Sequence, residues 1–167
     1  MNDASPPVPP DSKDWTWVLE RPCPDCGFVA ADFDVAATGA EVLATAARLA
    51  ELLADDRATT RPTPDRWSAT EYACHVRDVY RLYDLRLHLM LDEDDPLFAN
   101  WDQDDTAIAE RYDQQEPATV AGELADAAEQ LAASFATVQG CTGDAVFSQV
   151  YTSAGVRATC CVEWPRF

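Results

Sequence analysis

The chain has 167 residues, a formal net charge of −18, two histidines and six cysteines. That length suits one domain with a core of useful size, and so acidic a surface repels phosphate backbones and anionic lipid, which argues against nucleic acid and membrane surfaces as partners. No apolar run reaches the ~18 residues of a membrane span, and no charged and then apolar leader opens the chain, so the expected compartment is the cytoplasm with reduced thiols.

Residues 1–13 are proline-rich and aperiodic, the composition of a disordered tail. Residues 14–35 carry Trp15, Trp17, Cys23, Cys26 and Phe28, too apolar for a tail, and are expected to pack as an irregular cover. A first helix should begin near Thr38, with Glu41 completing a Thr-x-x-Glu capping box, and end near Asp56. Val42, Ala46, Leu49 and Leu53 recur along it at helical spacing, and Pro62 and Pro64 punctuate the connection to the next helix. The second helix is expected from Ser68 to about Leu91. Ser68 is a natural N-cap, Glu71 stands three residues on, and Trp67 can pack on Tyr72 as a hydrophobic staple. Asp92, Glu93, Asp94 and Asp95 then sit at the unfavourable end of the helix dipole, as a solvated turn, a frayed end or carboxylates with a use. Residues 96–116 form a connector with a short helix around Asp105 to Tyr112. Pro117 suits the first position of a third long helix whose apolar stripe is Val120, Leu124, Ala127, Leu131, Phe135 and Val138, with Gly140 just past its end.

The two histidines fall differently on the second helix. At about 100° per residue, Tyr72, Val76, Val79, Tyr83 and Met90 make one stripe. His75 lies at its edge beside Leu82 and is expected to face inward; His88 lies opposite and should face water. An inward histidine is a core residue bonded to a carbonyl or carboxylate, or else a metal ligand or general base. One histidine cannot hold a metal, and a bundle site draws ligands from facing helices. Glu71 and Asp78 flank His75 at i−4 and i+3, where each is either an orienting acceptor for the imidazole or a surface carboxylate. Cys74 points about 100° away from His75, so the two do not form a nucleophilic pair. Arg86 shares the stripe about 16 Å further on and needs an anion, supplied by Glu110, Asp102 or a substrate carboxylate. Arg86 and Trp101 are the candidate substrate-binding residues. Cys23-Pro24-Asp25-Cys26-Gly27 has the spacing of half a zinc knuckle, which makes Cys23 and Cys26 a separate metal candidate. Structural thiols and a redox pair are the alternatives, though no strand precedes the motif as thiol oxidoreductases require.

Trp67-Ser68-x-x-Glu71-x-x-x-His75 with a long amphipathic helix, Arg21-Pro22-Cys23-Pro24-Asp25-Cys26-Gly27-Phe28 ahead of it and Asp94-Asp95-Pro96-Leu97-Phe98-Ala99-Asn100-Trp101-Asp102-Gln103 behind it resemble the DinB-like superfamily, nearest to an actinobacterial-type branch, over about residues 14–138. The resemblance implies an all-α, up-down four-helix bundle. Superfamily members of known activity include S-transferases and isomerases, maleylpyruvate isomerase among them, that use mycothiol or bacillithiol and a divalent metal. It therefore implies zinc or nickel, a low-molecular-weight thiol and a small-molecule substrate. It gives His75 as one metal ligand, with two more from a C-terminal helix bearing H-x-x-x-H or E-x-x-x-H.

That last element is missing here. After Gly140 the chain has no histidine, and its only carboxylates are Asp144 and Glu163. Residues 1–140 carry 28 acids and 10 bases, residues 141–167 two of each, and three of the six cysteines fall in the latter, so the character of the chain changes where a fourth helix is needed. A reading-frame shift after about Phe147 and a divergent, strand-like end over Val146 to Tyr151 are the two accounts. The resulting expectation is three domain segments (1–13 tail, 14–140 bundle, 141–167 atypical end) and a bundle with its fourth helix missing or degraded. Three functions are compatible with it: a metal-dependent thiol transferase or hydrolase with an incomplete site, a non-catalytic binding bundle, or an inactive remnant. An exposed groove left by the fourth helix would favour a homodimer.

Overall fold

The computed structural model describes residues 8, 9 and 16–138. The expectations placed on Trp15, Gly140, nearly all of the tail and everything from Cys141 onward, the frame shift included, lie outside the described residues.

The described chain is all-α. Its elements are α1 (Thr38–Leu53), α2 (Ala69–Asp92), the short α3 (Gln103–Ala109) and α4 (Pro117–Thr137), with single 3-10 turns between and before them. α4 packs along both α1 and α2, which meet each other over a much shorter length, so α4 is the spine of the packed unit. The four apolar positions expected of α1, Val42, Ala46, Leu49 and Leu53, are all buried, and so are Val120, Leu124, Ala127 and Leu131 of α4. Gly39 marks a close approach of the two: a Cβ there would stand 3.3 Å from the Ala132 carbonyl oxygen. No helix among the described residues is long and apolar enough to cross a membrane.

The helix ends show which local signals hold. α2 begins with the full capping box. Ser68 Oγ accepts from Glu71 N–H, Glu71 Oε2 accepts from Ser68 N–H at 2.8 Å, and Trp67 meets Tyr72 edge-on at 5.5 Å. α4 begins at Pro117, with Glu116 as N-cap accepting from Thr119 N–H. The box expected at Thr38 does not form. Thr38 is already inside α1, because the chain enters from a 3-10 turn at Val35–Ala37 and the N-cap, Ala37, has helical dihedrals. Asp34 serves that entrance instead, its carboxylate accepting from Ala36 N–H and its carbonyl from Ala37 N–H. The short connector helix also starts earlier than expected. Asp102 caps it by accepting from the N–H groups of Asp104 and Asp105, and Arg111, in the left-handed region at φ +52°, stops it before Tyr112.

α2 is rotated from its expected orientation. Its buried residues include Ala73, Cys74, Arg77, Tyr80 and Leu87, whereas Tyr72, Val76, Val79, Tyr83 and Met90 are half-buried, with Val76, Val79 and Tyr83 packing on the edge of the core. The helix turns a different face to the core because a charged residue on that face, Arg77, finds partners for its guanidinium there.

Candidate functional site

Two clusters meet on α2, and they differ in chemistry. The first surrounds Arg77, which is 3% exposed. Its Nε and Nη2 donate to the two Asp78 carboxylate oxygens at 2.8 and 3.0 Å, and Nη1 donates to Gln115 Oε1 and Glu123 Oε2, both at 2.7 Å. Tyr112, buried in the core, donates its hydroxyl to Asp78 Oδ2 at 2.5 Å, and Arg81 adds a longer pairing to Asp78. Burial alone would raise the Asp78 pKa, but the hydrogen bonds from Arg77 and Tyr112 hold it below the ordinary carboxylate value. Burial pushes the Tyr112 phenol upward, and Asp78 as its acceptor pushes the same way. The cluster ties α2 to the 110–116 turn and to α4. Each hydrogen-bonding group named in it has a partner inside the protein, so it is a brace.

Cys74 belongs to this side. It is fully buried, its thiol faces Gln115 Oε1 at 3.4 Å, and burial pushes its pKa up to about 12. A thiol held neutral in this way is no nucleophile, which agrees with its pointing away from His75.

The second cluster surrounds His75 on the opposite flank. Trp101 stacks on the imidazole, with ring centroids 5.8 Å apart and planes 16° from parallel, and Trp67 stands at 5.4 Å, tilted by 50°. Trp67 in turn touches Tyr72 and Tyr112 edge-on. His75 is half-buried and its Nδ1 lies out of contact with solvent. It therefore faces inward, as expected, but under two loop tryptophans and not toward α1 and α4. Trp67 is placed by the capping box and Trp101 by the connector that crosses α2. His88 is exposed, as expected, with Nδ1 at 2.8 Å from the Asp84 carbonyl.

The same connector crosses Arg86. That side chain is 5% exposed, donates from Nη2 to the Ala99 carbonyl at 3.0 Å and lies 5.3 Å over the Phe98 ring. Neither Glu110 nor Asp102, the expected partners, pairs with it: Asp102 caps α3 instead, and among the described residues Arg86 forms no ion pair. Its pKa is lowered by burial.

The carboxylates flanking His75 are both engaged by arginines. Glu71, 3% exposed, carries the capping box and also takes a bidentate pairing from Arg61, with Nε at 3.0 and 2.9 Å from its two oxygens. Asp78 is held by Arg77 and Tyr112. Cys23 and Cys26 sit in a tight knuckle, with Gly27 N–H on the Cys23 carbonyl and Gly27 at φ +74°, Cys23 buried and Cys26 exposed. The acids Asp92–Asp95 are all exposed. Among the described residues no three of His, Cys, Asp and Glu gather as metal ligands. Among the described residues, the two carboxylates flanking His75 are each paired with an arginine, Glu71 with Arg61 and Asp78 with Arg77. Sequence reasoning did not name Arg61, Gln115 or Glu123, which reach these sites from 10 to 46 residues away and carry no local signal.

An all-α unit of long amphipathic helices, with a histidine on the second helix set by a W-S-x-x-E cap, is the class of protein the geometry defines. The family model of the DinB superfamily matches residues 38–149, two thirds of the chain, and the protein belongs to that superfamily. No curated protein and no solved structure matches significantly.

Proposed function

We propose that this DinB domain binds a small molecule, a low-molecular-weight thiol or another small organic ligand, at the aromatic His75 face, and that in this chain the face acts as a binding site and not as a complete metal centre. The observation that carries the reading is the pair of tryptophans set against one imidazole, Trp101 stacked and Trp67 tilted. Rigid aromatic surfaces with one polar group among them are the usual makeup of small-ligand sites. Against metal-assisted chemistry stands the pairing of Glu71 with Arg61 and of Asp78 with Arg77. The charge of −18 disfavours nucleic acid as a partner.

The metal-dependent thiol transferase that the superfamily suggests is the second reading, favoured by the position of His75 itself. It needs two further ligands beside that histidine. Metal content after purification without chelators separates the two. Substoichiometric zinc and nickel, with saturable quenching of tryptophan fluorescence by small thiols that is lost in Trp101→Ala, is the expected result. About one zinc or nickel per chain, abolished by His75→Ala, would overturn the binding reading in favour of the enzyme.

A further inference from the structure

Arg86 is a buried cation without a carboxylate among the described residues. Its guanidinium is held by one neutral carbonyl, Ala99, and one aromatic face, Phe98, and the residue is 5% exposed. The contrast within the same helix is direct: Arg77, similarly buried, has two carboxylates and a glutamine amide. Buried charges are ordinarily paired, since taking a charge out of water without a counter-charge opposes folding. A hydrogen bond to a carbonyl and a cation–π contact orient a guanidinium but do not neutralise it. The Arg86 end of α2 is therefore set up to receive negative charge.

His75 and Arg86 lie on one flank of α2, eleven residues and about 16 Å apart along the axis, with half-buried Val79 and Leu82 between them. The connector bridges both, placing Phe98 and the Ala99 carbonyl on Arg86 and Trp101 on His75. We propose that Arg86 is the anion subsite of the His75 face, and that the ligand is an elongated organic carboxylate whose apolar body lies along Val79 and Leu82 toward Trp101. This subsite rests on the proposed binding function and names its substrate class. The carboxylate takes a charge-assisted hydrogen bond from guanidinium N–H groups other than the Nη2 donor to Ala99, and the buried charge becomes paired.

Decanoate and its neutral amide, decanamide, are the probes. The intact chain is titrated with each, following tryptophan fluorescence and the Arg86 Nε–Hε resonance, which is assigned from its loss in Arg86→Met. Decanoate is expected to shift that resonance and to bind about ten-fold more tightly than decanamide, the scale of one charge-assisted hydrogen bond. Arg86→Met should bring decanoate down to the affinity of decanamide, and Arg86→Lys should keep part of the preference. Because an uncompensated buried charge opposes folding, the melting temperature of ligand-free Arg86→Met should equal or exceed that of the parent. Equal affinity for the two probes, unaltered in Arg86→Met, would overturn the anion subsite and leave the binding reading standing. A response to neither probe at either reporter would overturn the anion subsite, while the binding reading would still stand or fall on the titration with small thiols. A lower melting temperature of ligand-free Arg86→Met, with Arg86→Lys unaffected, would show that the chain itself neutralises the charge, and would overturn the subsite.

Discussion

Trp101 lies flat against His75, 5.8 Å between ring centroids and 16° from parallel, although 26 residues separate them in the chain. Together with Trp67, at 5.4 Å, this loop side chain covers the imidazole.

Removing that cover has a reactive and an energetic consequence. Trp101→Ala should leave the fold intact and cost about 1–2 kcal/mol, the range for losing a half-buried aromatic pair. His75 should become several-fold more reactive toward diethylpyrocarbonate, while exposed His88 keeps its rate. Peptide mapping after brief labelling reads both. An unchanged His75 rate would mean that Trp101 does not shield the ring.

Glu71 carries two duties that one substitution separates. Glu71→Ala removes the reciprocal half of the capping box and leaves Arg61, only 14% exposed at its side chain, without its bidentate carboxylate. The expected loss is about 2–4 kcal/mol, the sum of a typical cap and a broken part-buried pair. Glu71→Gln preserves the capping geometry and should recover part of it. Urea denaturation of the two variants measures the split; identical losses would mean that the ion pair accounts for all of the effect.

Acid should unfold the protein partly through Asp78. Its carboxyl is held below its unfolded value by Arg77 and Tyr112, so the unfolded state binds the proton more readily. Its contribution is therefore complete above the unfolded pKa of about 4 and is lost as pH falls through the lower folded value. Asp78→Asn should be less stable than the parent at neutral pH, with the gap narrowing below about pH 4. Stability curves at several pH values between those limits test the sign. Arg77→Ala should cost about 3–5 kcal/mol, because it leaves Asp78 without its principal partner in a buried position.

The thiols should divide by environment. Cys26 is exposed, Cys23 and Cys74 are buried, and Cys74 is raised to about 12. Brief iodoacetamide treatment of the native protein, read by mass spectrometry, should label Cys26 before the other two of these three thiols and leave Cys23 and Cys74 protected until denaturant is added. Rapid native labelling of Cys74 would show that the Arg77 brace opens readily.

Local order was legible from the residues. Ser68 and Glu71 announce the start of α2, Pro117 that of α4, and the spacing of Val42, Ala46, Leu49 and Leu53 the core face of α1, because capping and helical periodicity act over three to seven neighbours. The resemblance carried by Trp67, Ser68, Glu71 and His75 named the superfamily that the family model matches. The rotation of α2 was not legible, since it depends on Asp78, Gln115 and Glu123 converging on Arg77 from three places in the chain and making a charged residue buriable. The same holds at the site. The sequence set His75 and Arg86 on one flank of α2, from the helical repeat alone. Only the tertiary structure decided that Trp101 would cover the one and that Phe98 and Ala99 would hold the other. The path of a connector over a helix is settled by long-range packing, which no pattern of neighbouring residues encodes.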